Sequence, residues 1–432
     1  MANYISEDDI ERAILEKLNN SPFNYDILRC PADAESRDNL NDGTGRNSKR
    51  QCVLPVVLTD ALYRINPTID KSIIDGIVRD LSRDFTGTDL TDTNYKNYKK
   101  IRDKIKVKVK KNGKDDFDFV QLIDFDNPEN NTFTAVSQMW IQGHYNYRRP
   151  DILIFVNGLP LVFIELKNSI VKVEEAYNKN LLNYKKDVPN LFAFNQICVL
   201  SNGLETKLGA FNATYDYFFE WLKVENENET INREELNADT KAEREFMEQK
   251  KNKLLSDMIQ NDTDKKISVE RFVDGMLNKN RLIDYIENFI LFENQRVKII
   301  AKNHQFFGVN NLMQSVEKRK ELQGKLGVFW HTQGSGKSYS MVMFARKVKR
   351  KINGNFTFLI ITDRDDLDTQ IHKNFVRTEV IGDKVECQPK NSSQLREYLQ
   401  SNKEFVFTLI QKFRYDKSKA YPVLSTRDDI IV

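Results

Sequence analysis

The sequence predicts an α/β protein with two domains of different sheet type, and three stretches carry that prediction. Residues 148–169, RRPDILIFVNGLPLVFIELKNS, are two apolar runs joined at Asn157-Gly158, the signature of a β-hairpin. HTQGSGKS, residues 331–338, is a glycine-rich loop between a strand-like run and a helical pattern. From residue 327 onward strand-like and helix-like segments alternate, as they do in a parallel sheet covered by helices.

Bulk properties narrow the class. The chain has 432 residues, with 40% hydrophobic, 30% charged and 11% aromatic side chains, a soluble globular composition with apolar material for more than one core. A net charge of +3 neither requires nor excludes a nucleic-acid partner. Cys30, Cys52, Cys198 and Cys387 are too far apart for zinc or redox motifs. The acidic, amphipathic start is not a secretory signal. No run reaches about 18 apolar residues, so no membrane span is expected and the protein reads as cytoplasmic.

The elements follow in order. Ser6 opens a weak capping box, and Ile10, Ala13, Ile14 and Leu18 recur at helical spacing, predicting a helix over 7–19. Residues 51–85 read as helical, interrupted at Pro67. From Lys104 the period changes to two. Ile105, Val107 and Val109 alternate with Lys104, Lys106, Lys108 and Lys110, then Asn112-Gly113 leads into a second apolar run. This predicts a hairpin with one buried and one lysine-lined face. The lysines either discourage edge pairing or, about 7 Å apart along the strand, follow phosphates. Residues 171–187 read as a helix and 195–203 as a strand. The charge-dense segment 224–266 reads as a solvated helical linker between a first domain, 1–223, and a second, 267–432. In the second, GVFW (327–330), FTFLIIT (356–362) and FVFTLI (405–410) are predicted strands, and a helix begins near Lys337.

The glycine loop has a direct chemical reading. Backbone N–H groups of Thr332, Gly334, Ser335 and Gly336 would converge on phosphate oxygens, Lys337 would reach the β and γ phosphates, and the Ser338 hydroxyl would ligate Mg²⁺. His331 stands where the general pattern has a further glycine. ATP hydrolysis also needs an acidic motif after a later strand. RDDIIV, residues 427–432, reads as the opening of such a strand, with Asp428 and Asp429 ahead of its apolar residues. The acidic motif is therefore expected beyond Val432. The chain is expected to be the N-terminal portion of a larger motor protein that binds nucleotide weakly and hydrolyses little or none.

The charges at the mouth of the 148–169 hairpin have a chemical reading too. A strict two-residue turn pairs Asp151 with Ile164, whereas a three-residue loop over Asn157, Gly158 and Leu159 pairs it with Glu165. In the second register Asp151, Glu165 and Lys167 converge at the open end. Two carboxylates at one point call for a hard cation such as Mg²⁺, which can activate water against a phosphodiester. The plainer alternative is a surface ion pair.

Asp151 and Glu165-Leu166-Lys167 across a hairpin resemble the PD-(D/E)xK nuclease core. With DFDNPENNTF (124–133), WHTQGSGKS, TDRDDLDTQI (362–371) and TLIQKF (408–413), nearly the whole chain resembles the restriction (R) subunit of type I restriction-modification enzymes. That resemblance implies a restriction-endonuclease-like domain with a central mixed sheet, followed by an incomplete RecA-like parallel α/β motor domain. It implies Asp151, Glu165 and Lys167 as the cleavage site and Glu11 as an upstream acid. Tyr184 matches a Gln-x-x-x-Tyr motif near DNA, in which Asn180 stands for the glutamine. Gln305 matches a glutamine that reads adenine. Asp363, Arg364, Thr408 and the Gln411–Phe413 run match motor motifs that contact DNA. The implied cofactors are Mg²⁺ and ATP, with S-adenosylmethionine on a partner. The implied partners are double-stranded DNA and the modification and specificity subunits. Two alternatives remain: a helicase-nuclease of repair or another defence pathway, and an inactive DNA- and nucleotide-binding module.

Overall fold

The computed structural model describes residues 5–111, 114–229, 267–382, 385–414 and 423–432. These fall into two compact units, residues 1–290 with 296–303, and residues 291–295 with 304–432. Most of the expected charged linker, from residue 230, lies outside the described residues, as does the Asn112-Gly113 turn.

The first unit is organised by a seven-stranded mixed sheet. Helix α1 (Glu7–Asn19) is capped by Ser6, whose hydroxyl accepts the Asp9 N–H at 3.1 Å, and buries Ile10, Ala13, Ile14, Leu15 and Leu18. Strand β1 (Asp26–Arg29) follows. Helices α2 (Pro55–Ile65) and α3 (Lys71–Leu81) are separated at Pro67, as expected. Helix α4 (Leu90–Asp103) leads into β2 (Ile105–Lys111) and β3 (Lys114–Val120), which pair only with each other among the described residues. Then come β4 (Phe133–Ser137), the short pair β5 (Ile141–Gln142) and β6 (Tyr147–Arg148), and the central hairpin β7 (Ile152–Val156) and β8 (Leu159–Leu166). A helical stretch comprises α5 (Val173–Glu175), a π-helical segment (Ala176–Leu181) and α6 (Leu182–Asp187). Strands β9 (Ile197–Ser201), β10 (Thr206–Gly209) and β11 (Phe219–Glu220) complete the sheet in the order β1-β4-β7-β8-β9-β10-β11.

Every residue of β7 and β8 is buried, because helices cover both faces of the central strands. Phe155 and Phe163 pack with Leu181, Tyr184 and Phe192 on one side, and α1 lies against β4 and β8. The expected burial of one face of the β2–β3 ribbon is only partial, complete at Val120 and not along the rest of that face. Ile105, Val107 and Val109 are only partly buried, and Phe117 and Phe119 keep 50% and 53% of their surface exposed. A two-stranded ribbon covers only what a further layer packs against, and no further strand joins this one.

Two helices that composition groups with the second domain, α7 (Ser268–Met276) and α8 (Lys279–Asn288), pack in the first unit. The Ser268 hydroxyl accepts the Thr206 N–H at 2.8 Å, tying α7 to β10.

The second unit contains α9 (Asn303–Glu317), α10 (Lys337–Lys351), β12 (Thr357–Thr362), α11 (Asp365–Arg377), α12 (Ser392–Gln400), β13 (Phe405–Leu409) and β14 (Ile430–Ile431). Strands β12, β13 and β14 form a parallel sheet, with β12 in the middle. Ile430 and Ile431 do begin a strand, beside Thr357 and Phe358. GVFW does not form the expected strand: Val328 and Trp330 are 91% and 76% exposed, and Gly327 has φ +117°. Apolar character alone does not make a strand. The ladder needs a neighbour, and β12, β13 and β14 do not pair with this segment.

Candidate active site

The register question at the hairpin has a third answer. Asn157 and Gly158 both have positive φ, 50° and 77°, and form a tight two-residue turn, so Val156 pairs with Leu159. The register then shifts by one residue, so that Ile152 pairs with Ile164. A three-residue loop is therefore not what aligns the carboxylates. A β-bulge at Leu161 is, and it brings Asp151, just beyond β7, level with Glu165. The bulge follows Pro160, which has no N–H for the ladder. The Leu161 carbonyl instead accepts the Gln196 N–H at 2.7 Å.

The turn is itself anchored. Asn157 is fully buried; its amide oxygen accepts the Thr132 N–H at 2.8 Å, and its amide nitrogen donates to the Leu122 carbonyl at 2.9 Å and Asn131 Oδ1 at 2.8 Å. A Cβ on Gly158 would stand 2.5 Å from the Leu54 carbonyl oxygen, so glycine is required for space as well as for φ.

At the open end, Asp151 Oδ2 accepts the Leu166 N–H at 2.6 Å, and the Asp151 carbonyl accepts the Gln138 N–H at 3.1 Å. Glu165 is 3% exposed. Its Oε1 accepts from Lys167 Nζ at 3.3 Å and from Asn180 Nδ2, while its Oε2 is buried with no hydrogen-bond partner among the described residues. Lys167 Nζ also donates to the Leu166 carbonyl at 2.5 Å, and the Lys167 N–H to Ser201 at 2.8 Å. Burial pushes the Asp151 carboxyl up to about 6, against the Leu166 N–H and the Lys167 charge. Burial, then the charge of Asp151, pushes Glu165 up to about 8.

The structure thus brings Asp151, Glu165 and Lys167 together, and adds Asn180 to them. The π-helical segment advances the register of the helical stretch and sets Asn180 on Glu165. Tyr184 is buried against Phe163 and its hydroxyl donates to the Arg149 carbonyl at 2.7 Å, so it braces the residue two before Asp151. Glu11 faces the same region from α1, where it accepts from Gln138 Nε2; its carboxyl is raised, chiefly by burial. A cleft of about 620 Å³ joins Glu11 and Asp151 with Glu7, Gln138 and Arg149 among its walls. Gln138 carries no sequence signal, because only the packing of β4 beside β7 brings it here, whereas Arg149 stands two residues before Asp151 in the same run. Among the described residues no three or more His, Cys, Asp or Glu side chains gather as a metal cluster.

In the second unit Gly336, with φ 83°, caps α10. Lys337 Nζ donates to the carbonyls of His331 and Thr332 at 2.8 and 2.9 Å. Gln305 is buried beneath the loop and donates to the Gly336 carbonyl at 3.0 Å and Ser340 Oγ at 3.4 Å, while His304 Nε2 lies 3.1 Å from the Ser335 carbonyl. Thr332, Gly334, Ser335, Gly336, Lys337 and Ser338 therefore form one continuous loop-to-helix corner, with Gln305 supporting it. Asp363 and Arg364 are exposed where β12 ends, paired at 3.5 Å. Thr408 is fully buried, its hydroxyl turned to the Leu409 carbonyl at 3.4 Å. Gln411 Nε2 donates to the Asp363 carbonyl at 3.0 Å, so the two expected DNA-contacting segments adjoin.

Comparison with known proteins matches two stretches of the chain to two different families. Residues 4–217 match the family described as type I restriction enzyme R protein N terminus, and residues 304–432 match the SWI2/SNF2 ATPase family. The chain is 32% identical to the type I restriction enzyme HindI endonuclease subunit of Haemophilus influenzae, over 99% of this chain and 38% of that protein. It is 28% identical to the putative type I restriction enzyme MjaIXP endonuclease subunit of Methanocaldococcus jannaschii, over 98% of this chain and 39% of that protein. The chain thus spans well under half the length of these curated relatives. With its N-terminal region matched to the R protein N terminus and its whole length aligned to endonuclease subunits, the chain is similar throughout to type I restriction enzyme endonuclease subunits.

Proposed function

We propose that this chain carries the DNA-cleaving site and the nucleotide-binding loop of a type I restriction endonuclease subunit. In this reading the first unit is a restriction-endonuclease-like domain and the second is part of a RecA-like motor lobe. The observation that carries the reading is Glu165 Oε2, a buried carboxylate oxygen that makes no hydrogen bond among the described residues, level with the half-buried carboxylate of Asp151. Leaving such an oxygen unmet costs about 1–3 kcal/mol or more unless a proton or cation meets it.

The donor set suits a small hard cation such as Mg²⁺, which needs few carboxylates and keeps several waters. Asp151 and Glu165 would hold it. Such an ion polarises a phosphodiester and acidifies a bound water. The protein's own groups do the rest. Lys167 neutralises charge beside Glu165, and Asn180 fixes the Glu165 carboxylate by holding Oε1. The Leu166 N–H fixes Asp151, so both carboxylates are set in place before substrate arrives. In the motor unit, Lys337 would exchange the loop carbonyls for nucleotide phosphate, and Ser338 would face its Mg²⁺. The complete subunit would translocate double-stranded DNA with ATP, in the cytoplasm, alongside modification and specificity subunits, which would bind S-adenosylmethionine.

The test is Glu165→Ala in the assembled enzyme. Plasmid cleavage is expected to be lost while DNA-stimulated ATP hydrolysis continues. Cleavage at the parental rate would overturn the assignment.

A further inference from the structure

The β2–β3 ribbon takes no part in the site above, yet its surface is specialised. The register sets Lys106 opposite Phe119, Lys108 opposite Phe117 and Lys110 opposite Asp115, so these six side chains share one face. Ile105, Val107 and Val109 share the other face with Val120, Asp118 and Asp116. On the first face the three lysines are exposed, and both phenylalanine rings are half in water. Lys106 Nζ lies 4.0 Å from the centroid of the Phe117 ring, so charge and ring are presented side by side.

Edge protection accounts for lysines but not for exposed aromatic rings beside them, which add apolar surface where aggregation starts. The charge also extends beyond the ribbon. Residues 96–111 contain nine lysines and arginines and one acid, Asp103, in a chain whose net charge is only +3. The complementary ligand is a polyanion with flat apolar groups. Ammonium groups about 7 Å apart along a strand suit a phosphate backbone. Rings standing on an open ribbon can stack bases only where those bases are unpaired.

We propose that the Lys106/Lys108/Lys110 and Phe117/Phe119 face of this ribbon binds single-stranded nucleic acid, with phosphates on the lysines and bases stacked on the rings. The proposal rests on the reading that the chain acts on DNA.

The test is fluorescence anisotropy with the full chain in EDTA, which separates binding from cutting. The probes are a labelled oligothymidylate of about twenty nucleotides, enough to cross one binding surface, and a duplex of equal length, each over a salt series. Changing Lys106, Lys108 and Lys110 together to Ala is expected to weaken single-strand binding by at least about tenfold and to flatten the log–log salt slope by about 2. The matching triple Lys→Arg variant should bind as the parent does, which separates charge from folding. Phe117→Ala with Phe119→Ala should weaken single-strand binding about tenfold, leave the salt slope unchanged and leave duplex binding unchanged. Parental single-strand affinity in the triple Ala variant, or in the double Phe variant, would overturn the proposal alone. Failure of the parent to bind either probe would overturn it together with the DNA reading.

Discussion

Glu165 and Lys337 are the ionisable centres of the two units, and they are held in opposite ways. Glu165 ends a strand that is buried throughout, and its partners come from Lys167 beside it and Asn180 on the π-helical segment, while Asp151 faces it across the hairpin. Lys337 opens a helix at a loop corner, and its ammonium is met by two carbonyls of that same loop. The first site is assembled from the end of one strand, its hairpin partner and a helical segment, residues 151–180, and keeps one oxygen unmet among the described residues. The second is assembled within eight residues and satisfies itself until something displaces the lysine. Substitutions at the hairpin should therefore disturb folding and chemistry together, whereas those at the loop should disturb ligand binding alone.

The sharpest test of that contrast is a crossed pair. Lys167→Ala should lower cleavage by about a hundredfold or more, the usual scale for a group acting directly in the transition state, with nucleotide affinity unchanged. Lys337→Ala should abolish nucleotide binding, measured by titration calorimetry. If Lys167→Ala weakened nucleotide binding equally, the two sites would not be separable in this way.

Next in size is Gly158→Ala. Its Cβ would press on the Leu54 carbonyl oxygen at 2.5 Å and the Leu58 nitrogen at 2.8 Å, at a backbone φ of +77°. A loss of about 3 kcal/mol or more is expected from the denaturant midpoint, since backbone atoms cannot move aside cheaply. An unchanged midpoint would mean that the turn is not the fixed point it is taken to be.

A third effect is pH-dependent. The folded Glu165 carboxyl titrates near 8, above its usual 4.5, so the folded protein holds a proton that the unfolded chain has released across that window. Its contribution is fully present below about pH 4.5 and is lost as pH rises toward 8. Glu165→Gln, which cannot ionise, should gain on the parent by on the order of 1 kcal/mol per pH unit between those limits in metal-free buffer. A stability difference that stays flat from pH 5 to 8 would contradict the burial described. Adding Mg²⁺ should narrow the gap by stabilising the parent.

The smallest effect expected is on the stability of Lys337→Ala. Its ammonium is near the surface and its acceptors can turn to water, so the unfolding midpoint should move by no more than about 0.5 kcal/mol. A larger loss would show that the loop depends on the lysine for its shape.

Much of the fold could be read before the structure. The Ser6-capped first helix, the break at Pro67, the central hairpin and the strands at 357–362 and 405–409 all lie where periodicity and turn residues put them. GVFW and the burial of the β2–β3 ribbon were misread for one shared reason. Alternation and apolar content report what a segment can bury, not whether a partner is there to bury it. At the site, Asp151, Glu165 and Lys167 were legible because three charges closing a buried hairpin have few structural uses. Gln138, Asn180 at Glu165 and the unmet Glu165 oxygen were not, because they depend on packing between different elements of the fold.

Local chemistry along the chain sets the pieces: the turn at Asn157-Gly158, the apolar strands on either side, the glycine loop before a helix, and the residue types at each. Tertiary structure alone decided the alignment of Asp151 with Glu165. The turn residues allow two pairings, and a two-residue turn taken alone gives Ile164. The bulge at Leu161 corrects this, at a point where Pro160 has no N–H to give the ladder and Gln196, just ahead of β9, donates to the Leu161 carbonyl. That neighbouring strand is more than thirty residues further along the chain, and only folding brings it there.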